Sequence, residues 1–546
     1  MNLKNLRLMF SYLVLIAVIL VVYFPVTKTF YQQDEWLGYG LYLSRGAGMI
    51  LQSAGGFWDT ILGQGRILTN LLFFLFYKYS PLNVFPMVIF AIIFHTTNTL
   101  IVFFLAKKLF KNSLAAFLGS LFFVLNSVSQ GAITWPAASI NTLPSTTLIL
   151  ISLFFYVRYL ESFRQKWMVL SFVFVYLSLF FKETGVFLFL LLPLSSLIYK
   201  KQNLWVFIKR YWYFFAATLL IVTFRLWGFR SETGQVALFL TGSSKYFFDS
   251  LVARLILYPL TSFSLSIVPP DYFLNFARYI TNVYYPFVPE GQFILVAQTV
   301  VLDLLATISS MFIIFVSLAL LKITDPKIRK TVIFWLTFLS ASFLPYIIVS
   351  KSYAYLESRY YYLASIAWAI IFAWMTSLAL DKIKFKFIKV VFVAVFLLFL
   401  NVHAKVIVSN INKLVSESQT RINILGQVLA IKPTLDGKKN IFYITGDTDY
   451  YLPGNKIPFQ NGFGYILTSL YYGSGKIPKE FLDEHYLFEI GSQGYREFRE
   501  YGFGYFSDKK EMEIELKRYK IPPGSIFQFY YDSKNGTLTE ISDKTY

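Results

Sequence analysis

The feature that most constrains this chain is a series of apolar runs, each about long enough to cross a lipid bilayer. The first of them, FSYLVLIAVILVVYFPV, covers residues 10–26. A helix needs about 20 residues to cross a hydrocarbon layer of roughly 30 Å. Of the 546 residues, 56% are hydrophobic, which is more than soluble globular domains usually contain. We therefore predict an α-helical polytopic membrane protein.

Hydropathy predicts about eleven membrane spans. The first follows a short charged lead but is not followed by a small-residue cleavage site, so we interpret it as a retained span rather than a cleaved signal peptide. The predicted spans lie at about 8–26, 83–106, 113–129, 141–157, 167–181, 185–199, 211–228, 293–321, 331–350, 360–380 and 388–408.

The basic residues between the spans predict the orientation of the chain. Loops on the side of the N-terminus carry three or four Lys and Arg each, whereas the short loops on the other side carry between none and two. Cytoplasmic loops of membrane proteins are enriched in Lys and Arg. We therefore predict a multi-pass protein of the plasma membrane with a cytoplasmic N-terminus and an outer C-terminus.

The net charge of +20 could suggest nucleic acid as a partner. Residues 409–546 hold 17 of the 50 basic and 17 of the 30 acidic residues, so the whole excess lies in the apolar part of the chain. There it is explained by membrane topology. We predict membrane lipid as a partner and no nucleic acid. With no Cys and only three scattered His, a structural zinc site is not expected.

The predicted domains are a transmembrane domain, 1–408, and an extracytoplasmic α/β domain, 409–546. In the latter, IFYITG (441–446) predicts a strand, 511–520 a helix, and 527–541 a hairpin turned at Asn-Gly. Two long outer loops interrupt the first domain, 27–82 and 229–292. The apolar piece 66–77 in the first loop is too short to span, so we expect a helix at the membrane interface.

Charged residues from distant parts of the chain are predicted to meet at the outer membrane face. Charges near hydrocarbon are costly and are kept mostly where they act or pair. Carboxylates and cations at one depth suit a reaction in which a carboxylate deprotonates a hydroxyl while cations hold an anionic leaving group. A lipid phosphate is the natural anion there. The layer contains Asp34, Glu35, Arg45, Asp59, Arg66, Lys182, Glu183, Arg225, Arg230, Lys351, Glu357 and Arg359.

Each of these residues also has a structural interpretation. Asp34 and Glu35 follow a span and could be ordinary loop charges. Lys182 and Glu183 could form an ion pair that closes a tight turn, and Arg359 beside three tyrosines could be an interfacial anchor. His95, inside the second span, is interpreted as a partner in interhelical hydrogen bonding rather than as a metal ligand.

The order of the motifs resembles the GT-C glycosyltransferases, which are multi-span enzymes that take sugars from polyprenyl-phosphate donors. Among them, the chain is similar to bacterial members of the protein O-mannosyltransferase and lipid A aminoarabinose transferase type. The resemblance covers about residues 1–400 and rests on QQDEW, GRILTNLLF, WPAASINT, FFKETG and ESRYYYLASIAW. Ala364 stands where the related E-R-Y-L-Y-L-P-S pattern has Pro, and no tetratricopeptide repeats are present.

The resemblance implies an inverting transfer of a sugar to a glycan, lipid or protein of the cell envelope. Asp34 would be the general base and Glu35 would support it. Arg66, Arg359 and Lys182 would bind the donor phosphate, and the 229–292 loop would cover the donor groove. Glu183, Glu357 and Arg225 would support the site. No cofactor is expected, and the acidic pair without a spaced third acid favours a mechanism without a divalent cation.

Two other functions stay open at this point. A transporter or flippase of lipid-linked saccharides should place charges near the bilayer midplane and often contains repeated halves. The charges here lie mostly at the predicted membrane face, and the sequence contains no repeat, which favours the enzyme. A non-catalytic scaffold that presents the 409–546 domain would leave the charges scattered instead of gathering them around one pocket.

Overall fold

The computed structural model describes most of the chain and divides it into two compact units. Unit 1 comprises 1–24, 53–69 and 88–410, and unit 2 comprises 25–52, 70–87 and 411–546. The described residues are 3–32, 34–51, 66–199, 203–232, 244–284, 292–347, 356–435, 437–447, 462–482 and 493–541.

Unit 1 is built from α-helices. Those that lie wholly or partly in it are α1 (Leu3–Tyr23), α3 (Ile67–Tyr79), α4 (Phe85–Phe110), α5 (Ser113–Leu125), α6 (Gly131–Thr134), α7 (Pro136–Ser162), α8 (Gln165–Leu179), α9 (Leu188–Tyr199), α10 (Leu204–Glu232), α11 (Ser244–Ile267), α12 (Pro270–Tyr284), α13 (Gln292–Lys322), α14 (Pro326–Ala341), α15 (Tyr362–Lys382) and the first part of α16 (Lys386–Ile431); α2 (Asp34–Arg45) belongs to unit 2.

Seven helices of the described part are long and apolar enough to cross a membrane, or up to nine if two bent pairs each count as one span. The predicted membrane class is therefore supported, but the predicted count of eleven is not confirmed. Three further apolar helices, including α8, have only 10–17 residues. Within the predicted loop 229–292, α11 and α12 form one of the bent pairs, with a 99° bend at Pro269-Pro270.

Local sequence signals explain where two of these helices begin. The side chain of Asn112 accepts hydrogen bonds from the backbone N–H groups of Leu114 and Ala115, which caps α5. Asp325 accepts from the N–H of Lys327 in the same way, and Pro326 occupies the first position of α14, where a missing N–H costs nothing.

Small residues let α5 and α15 approach each other closely. A Cβ atom added at Gly119 would lie 2.5 Å from the carbonyl oxygen of Ala369 and 2.8 Å from the Cβ of Ala373. Close contact through small residues is a common way for apolar helices to associate in membranes, where burial of apolar surface gives no advantage over lipid.

A buried polar network joins α4, α7 and α15. His95 Nδ1 lies 2.8 Å from the hydroxyl of Tyr362, and Asn98 donates to the same hydroxyl at 3.2 Å. Thr147 donates to Asn98 Oδ1 at 2.7 Å. The predicted role of His95 in interhelical hydrogen bonding is thus confirmed.

Unit 2 contains a five-stranded mixed sheet in the order β2-β3-β1-β4-β5. The central strand β1 runs parallel to β3 and to β4, whereas the two edge strands are antiparallel to their neighbours. The elements are β1 (Lys439–Gly446), α17 (Phe463–Tyr471), β2 (Gly494–Phe498), β3 (Tyr501–Phe506), α18 (Lys509–Tyr519), β4 (Ile526–Asp532) and β5 (Thr537–Glu540).

The helices α17 and α18 cover opposite faces of this sheet. Neighbouring side chains of a strand point to opposite sides, so two consecutive residues of β1 show which helix lies on each face. Ile441 of β1 belongs to a core cluster with Met512 of α18. The ring of the next residue, Phe442, stacks on Tyr471 of α17 with a centroid distance of 5.3 Å. The predicted strand, helix and hairpin are confirmed, and Gly536 in the hairpin turn has φ +63.

Candidate functional site

A two-point ion pair joins two distant segments of unit 1. Arg66 Nη2 donates to Glu183 Oε1 at 2.7 Å, and Arg66 Nε donates to Glu183 Oε2 at 3.1 Å. Arg66 directly precedes α3, and Glu183 begins a 3-10 turn, Glu183–Phe187. The neighbouring carboxylate raises the pKa of Arg66. The fork geometry fixes both partners more firmly than a single contact would.

The Lys182 ammonium lies almost fully buried beside this pair, with 4% of the residue exposed. Its Nζ donates to Thr142 Oγ1 at 2.8 Å and lies 5.5 Å from the ring centre of Tyr360 and 5.8 Å from that of Tyr346. Burial lowers the pKa of Lys182 to about 7, and the positive charge of Arg66 acts in the same direction, while the Glu183 carboxylate opposes it.

The predicted alternative, an ion pair between Lys182 and Glu183, does not describe the geometry. Glu183 is turned to Arg66 instead, and none of the ion pairs within the described part of the chain involves Lys182. The turn itself is closed by main-chain bonds, since the N–H of Lys182 donates to the carbonyl of Ser178 at 2.9 Å.

Arg359 forms the third cationic position. Its Nη2 lies 2.7 Å from Glu357 Oε2, and its guanidinium stacks on the Trp135 ring at 4.2 Å from the ring centre. The adjacent Ser358 anchors the segment, because its hydroxyl accepts from the N–H of Gly131 at 2.9 Å. The structure thus gives Arg359 a partly exposed ion-pair partner and an aromatic platform.

These five charged residues, Arg66, Lys182, Glu183, Glu357 and Arg359, form what we call the cation cluster. Both carboxylates and both guanidinium groups lie close enough to Lys182 to influence its charge. Three cations and two carboxylates leave a net charge of +1 when Lys182 is protonated. Such a cluster, partly shielded from water and lined by tyrosine rings, favours an anionic ligand.

The acidic pair lies in unit 2 and its two members differ in environment. Asp34 is exposed at the first position of α2, whereas Glu35 is fully buried. Glu35 Oε2 accepts from the N–H of Gln32 at 3.0 Å, a bond that caps the chain entering the helix. Glu35 therefore shapes the start of α2, and Asp34 is the carboxylate of the pair that is exposed at the surface.

Aromatic side chains surround the buried Glu35. The rings of Tyr31 and Trp36 meet edge to face at 5.4 Å, and both contact Tyr39. The hydroxyl of Tyr77 donates to the main-chain oxygen of Glu35 at 3.0 Å. Burial among these groups raises the pKa of Tyr31 and of Tyr77 well above the ordinary value, so both are neutral at physiological pH.

The structure brings five of the eight predicted site residues together in the cation cluster, and places Asp34 and Glu35 next to each other in the other unit. The side chain of Arg225, and the whole of Asp59 and Lys351, lie outside the described residues. Sequence reasoning assigned no role in the site to Thr142, Tyr346 or Trp135.

No metal site is evident in the part of the chain that the structure describes, where no group of three His, Cys, Asp or Glu gathers around a common point. Within the cation cluster, the two carboxylates form ion pairs with Arg66 and Arg359, and Arg359 also makes a cation–π contact.

Comparison with models of known protein families gave no match, and comparison with curated proteins also gave none. The likeness to GT-C glycosyltransferases therefore rests on the order of the sequence motifs alone.

Proposed function

We propose that this chain is an integral-membrane, inverting glycosyltransferase. It would take a sugar from a polyprenyl-phosphate donor and pass it to a cell-envelope acceptor at the outer face of the membrane. The observation that carries the proposal is the cation cluster, in which a buried Lys182 lies near two arginines that are each held by a carboxylate.

The proposed reaction assigns a separate task to each group. The Asp34 carboxylate accepts the proton of the acceptor hydroxyl, and the hydroxyl oxygen forms a bond to the anomeric carbon. The bond from that carbon to the phosphate oxygen breaks, and its electron pair stays on the phosphate. The charge of the leaving polyprenyl phosphate thereby grows, and the positive members of the cation cluster stabilise it.

The anion-binding role is supported by geometry and charge. The two arginines keep planar donors in place through their carboxylate partners, so little ordering is needed when a phosphate binds. Lys182 contributes a point charge and is the member without a carboxylate in ion-pair contact within the described residues. Long apolar helices in the same unit give the polyprenyl chain an apolar environment.

The direct test is sugar transfer by the full chain in lipid vesicles. Vesicles would contain polyprenyl phosphates that carry radiolabelled hexoses or pentoses, together with an envelope extract as acceptor. Wild-type protein should move label from the lipid to the acceptor, and Asp34→Asn should reduce the rate by about a hundredfold or more, as expected for loss of a general base.

A matched control separates catalysis from folding. Asp508 is also an acidic residue at the start of a helix, where it caps α18 through the N–H groups of Lys510 and Glu511. Asn caps helices about as well as Asp, so Asp508→Asn should keep full transfer. Transfer by Asp34→Asn at the wild-type rate would refute Asp34 as the base. Movement of labelled lipid between leaflets without transfer would instead support a flippase.

A further inference from the structure

The C-terminal sheet domain packs directly on the helix that begins with Asp34. Both this domain and α2 belong to unit 2. Tyr465 of α17 and Leu482 are fully buried, and Leu37 and Leu43 of α2 pack against them. The hydroxyl of Tyr465 donates to the carbonyl of Leu482 at 3.0 Å, which fixes the ring in place.

Gly40 is the point of closest approach. A Cβ atom at this position would lie 2.6 Å from Cζ of Tyr465, closer than real Cβ contacts allow, and would also collide with the hydroxyl. Gly40 is helical and is flanked by ordinary helical residues. Glycine costs a helix interior about 1 kcal/mol relative to alanine. Its use here is explained by the space that the Tyr465 ring needs.

The other side of α2 is held by Tyr77. Its hydroxyl donates to the main-chain oxygen of Glu35, and a Cβ at Gly38 would lie 2.5 Å from that same hydroxyl. Tyr77 and Tyr465 therefore contact α2 at Gly38 and Gly40, which are two residues apart. A helix of 12 residues is not stable in isolation, so these contacts determine where α2 lies.

We propose that the C-terminal domain is a positioning element of the active site. Tyr465, through its contact with Gly40, holds α2 in the orientation that directs Asp34 to the acceptor hydroxyl. This inference rests on the proposed function for its catalytic consequence, but not for the packing itself. Tyr465 is a positioning residue, since nothing places it on the substrate.

The physical reason is that general-base catalysis depends on small distances. A carboxylate must come within hydrogen-bond reach of the proton that it takes. Asp34 is the first residue of α2, so a tilt of the helix about its packed middle moves the carboxylate directly. A misplacement of about 1 Å can reduce a rate by as much as a hundredfold.

The experiment is a mutant cycle on the full chain in vesicles. Gly40→Ala should lower kcat about tenfold or more with little change in the KM for the donor, because none of the residues proposed to bind the donor phosphate belongs to α2. Tyr465→Leu removes the atoms that the new Cβ would meet and should have a smaller effect. The double variant Gly40→Ala/Tyr465→Leu should recover most of the kcat lost in Gly40→Ala. Gly48→Ala is the matched control, since its nearest neighbour would be Arg45 Cβ at 3.8 Å.

A readout without catalysis keeps this inference distinct from the proposed function. Hydrogen exchange at the amides of α2 should be faster in Gly40→Ala than in wild type, and the double variant should restore protection. If the variants show this exchange pattern but the wild-type protein transfers no sugar, the proposed function fails while the packing inference survives. If Gly40→Ala exchanges and transfers like wild type, or if the double variant shows no recovery, the positioning role is overturned.

Discussion

Arg66 and Glu183 lie 117 positions apart in the chain and meet through two hydrogen bonds, at 2.7 and 3.1 Å. The pair is about one-third exposed, with 39% of the Arg66 side chain and 33% of that of Glu183 accessible. Water therefore still reaches it, and an incoming anion can compete with Glu183 for the guanidinium. The pair connects the residue before α3 to the turn that carries Lys182.

Arg66→Lys should separate the contribution of charge from that of geometry. Lysine keeps the positive charge but cannot make the two-point contact. We expect the KM for the donor to rise severalfold and the free energy of unfolding to fall by only about 1 kcal/mol or less, because exposed ion pairs contribute little. Steady-state kinetics and thermal unfolding in detergent measure the two effects.

The pair between Lys108 and Glu161, at 3.0 Å, provides the control for Arg66→Lys. This pair is also partly exposed, but it is not a part of the cation cluster. Lys108→Gln should therefore leave the KM for the donor unchanged. An unchanged KM in Arg66→Lys, together with lower stability, would assign Arg66 a structural role alone.

Donor binding should weaken as the pH rises through neutrality. Burial lowers the pKa of Lys182 to about 7, so the residue is mostly charged at pH 6 and mostly neutral at pH 8. The proposed donor is a phosphodiester, whose charge stays constant over this range. The KM should therefore rise with pH, by up to about tenfold between pH 6 and 8, if the Lys182 charge is needed for binding.

Two variants test this assignment of the pH dependence. Lys182→Arg stays charged throughout the range and should flatten the KM profile. Lys182→Met should give a pH-independent KM close to the wild-type value at high pH. A wild-type slope that persists in Lys182→Met would show that another group titrates.

Much of the fold could be predicted because it depends on local patterns. The apolar character of the helices, the hairpin at Asn-Gly and the strand 441–446 are each visible in a short window. The described part of the structure contains the hairpin, the strand and seven to nine helices that are long and apolar enough to cross a membrane. The number of spans was harder to predict because α8 has only 15 residues and α11 and α12 are separated by a 99° bend. Hydropathy does not report such bends.

The contacts within the candidate site could be predicted only in part. Charge and topology suggested that Arg66, Lys182 and Arg359 lie at one depth, but not which carboxylate each would meet. Glu183 pairs with Arg66 rather than with its neighbour Lys182 because the turn directs the two side chains differently. The burial of Glu35 beneath aromatic rings depends on contacts distant in sequence, such as Tyr77, which no local pattern reveals.

The contact of α5 with α15 should limit the size of residue 119. Gly119→Ala would bring a Cβ to 2.5 Å from the Ala369 carbonyl, so we expect a loss of about 1–3 kcal/mol in the free energy of unfolding. Gly426→Ala, in α16, meets nothing within 4 Å and should stabilise the helix by up to about 1 kcal/mol. Thermal unfolding in detergent should move in opposite directions for the two variants, and a shift in the same direction would contradict this packing.

The stacking of Arg359 on Trp135 should contribute measurably to donor binding. The guanidinium carbon lies 4.2 Å from the ring centre, within the range of a cation–π contact, which is worth about 0.5–2 kcal/mol. Trp135→Phe keeps an aromatic face and should raise the donor KM only about twofold. Trp135→Leu removes the platform and should raise it about five- to tenfold.

Arg359→Lys should have the larger effect, since it removes both the stacking surface and the planar donors that suit a phosphate. Trp368→Phe is the control for the loss of a buried tryptophan: its ring packs on Phe263 at 4.6 Å in the helical core. It should lower the unfolding temperature without changing the KM. Equal donor KM values for Trp135→Leu and wild type would show that Arg359 does not need the Trp135 ring to bind the phosphate. The Glu357 carboxylate, 2.7 Å from the Arg359 guanidinium, would then be sufficient to hold it in place.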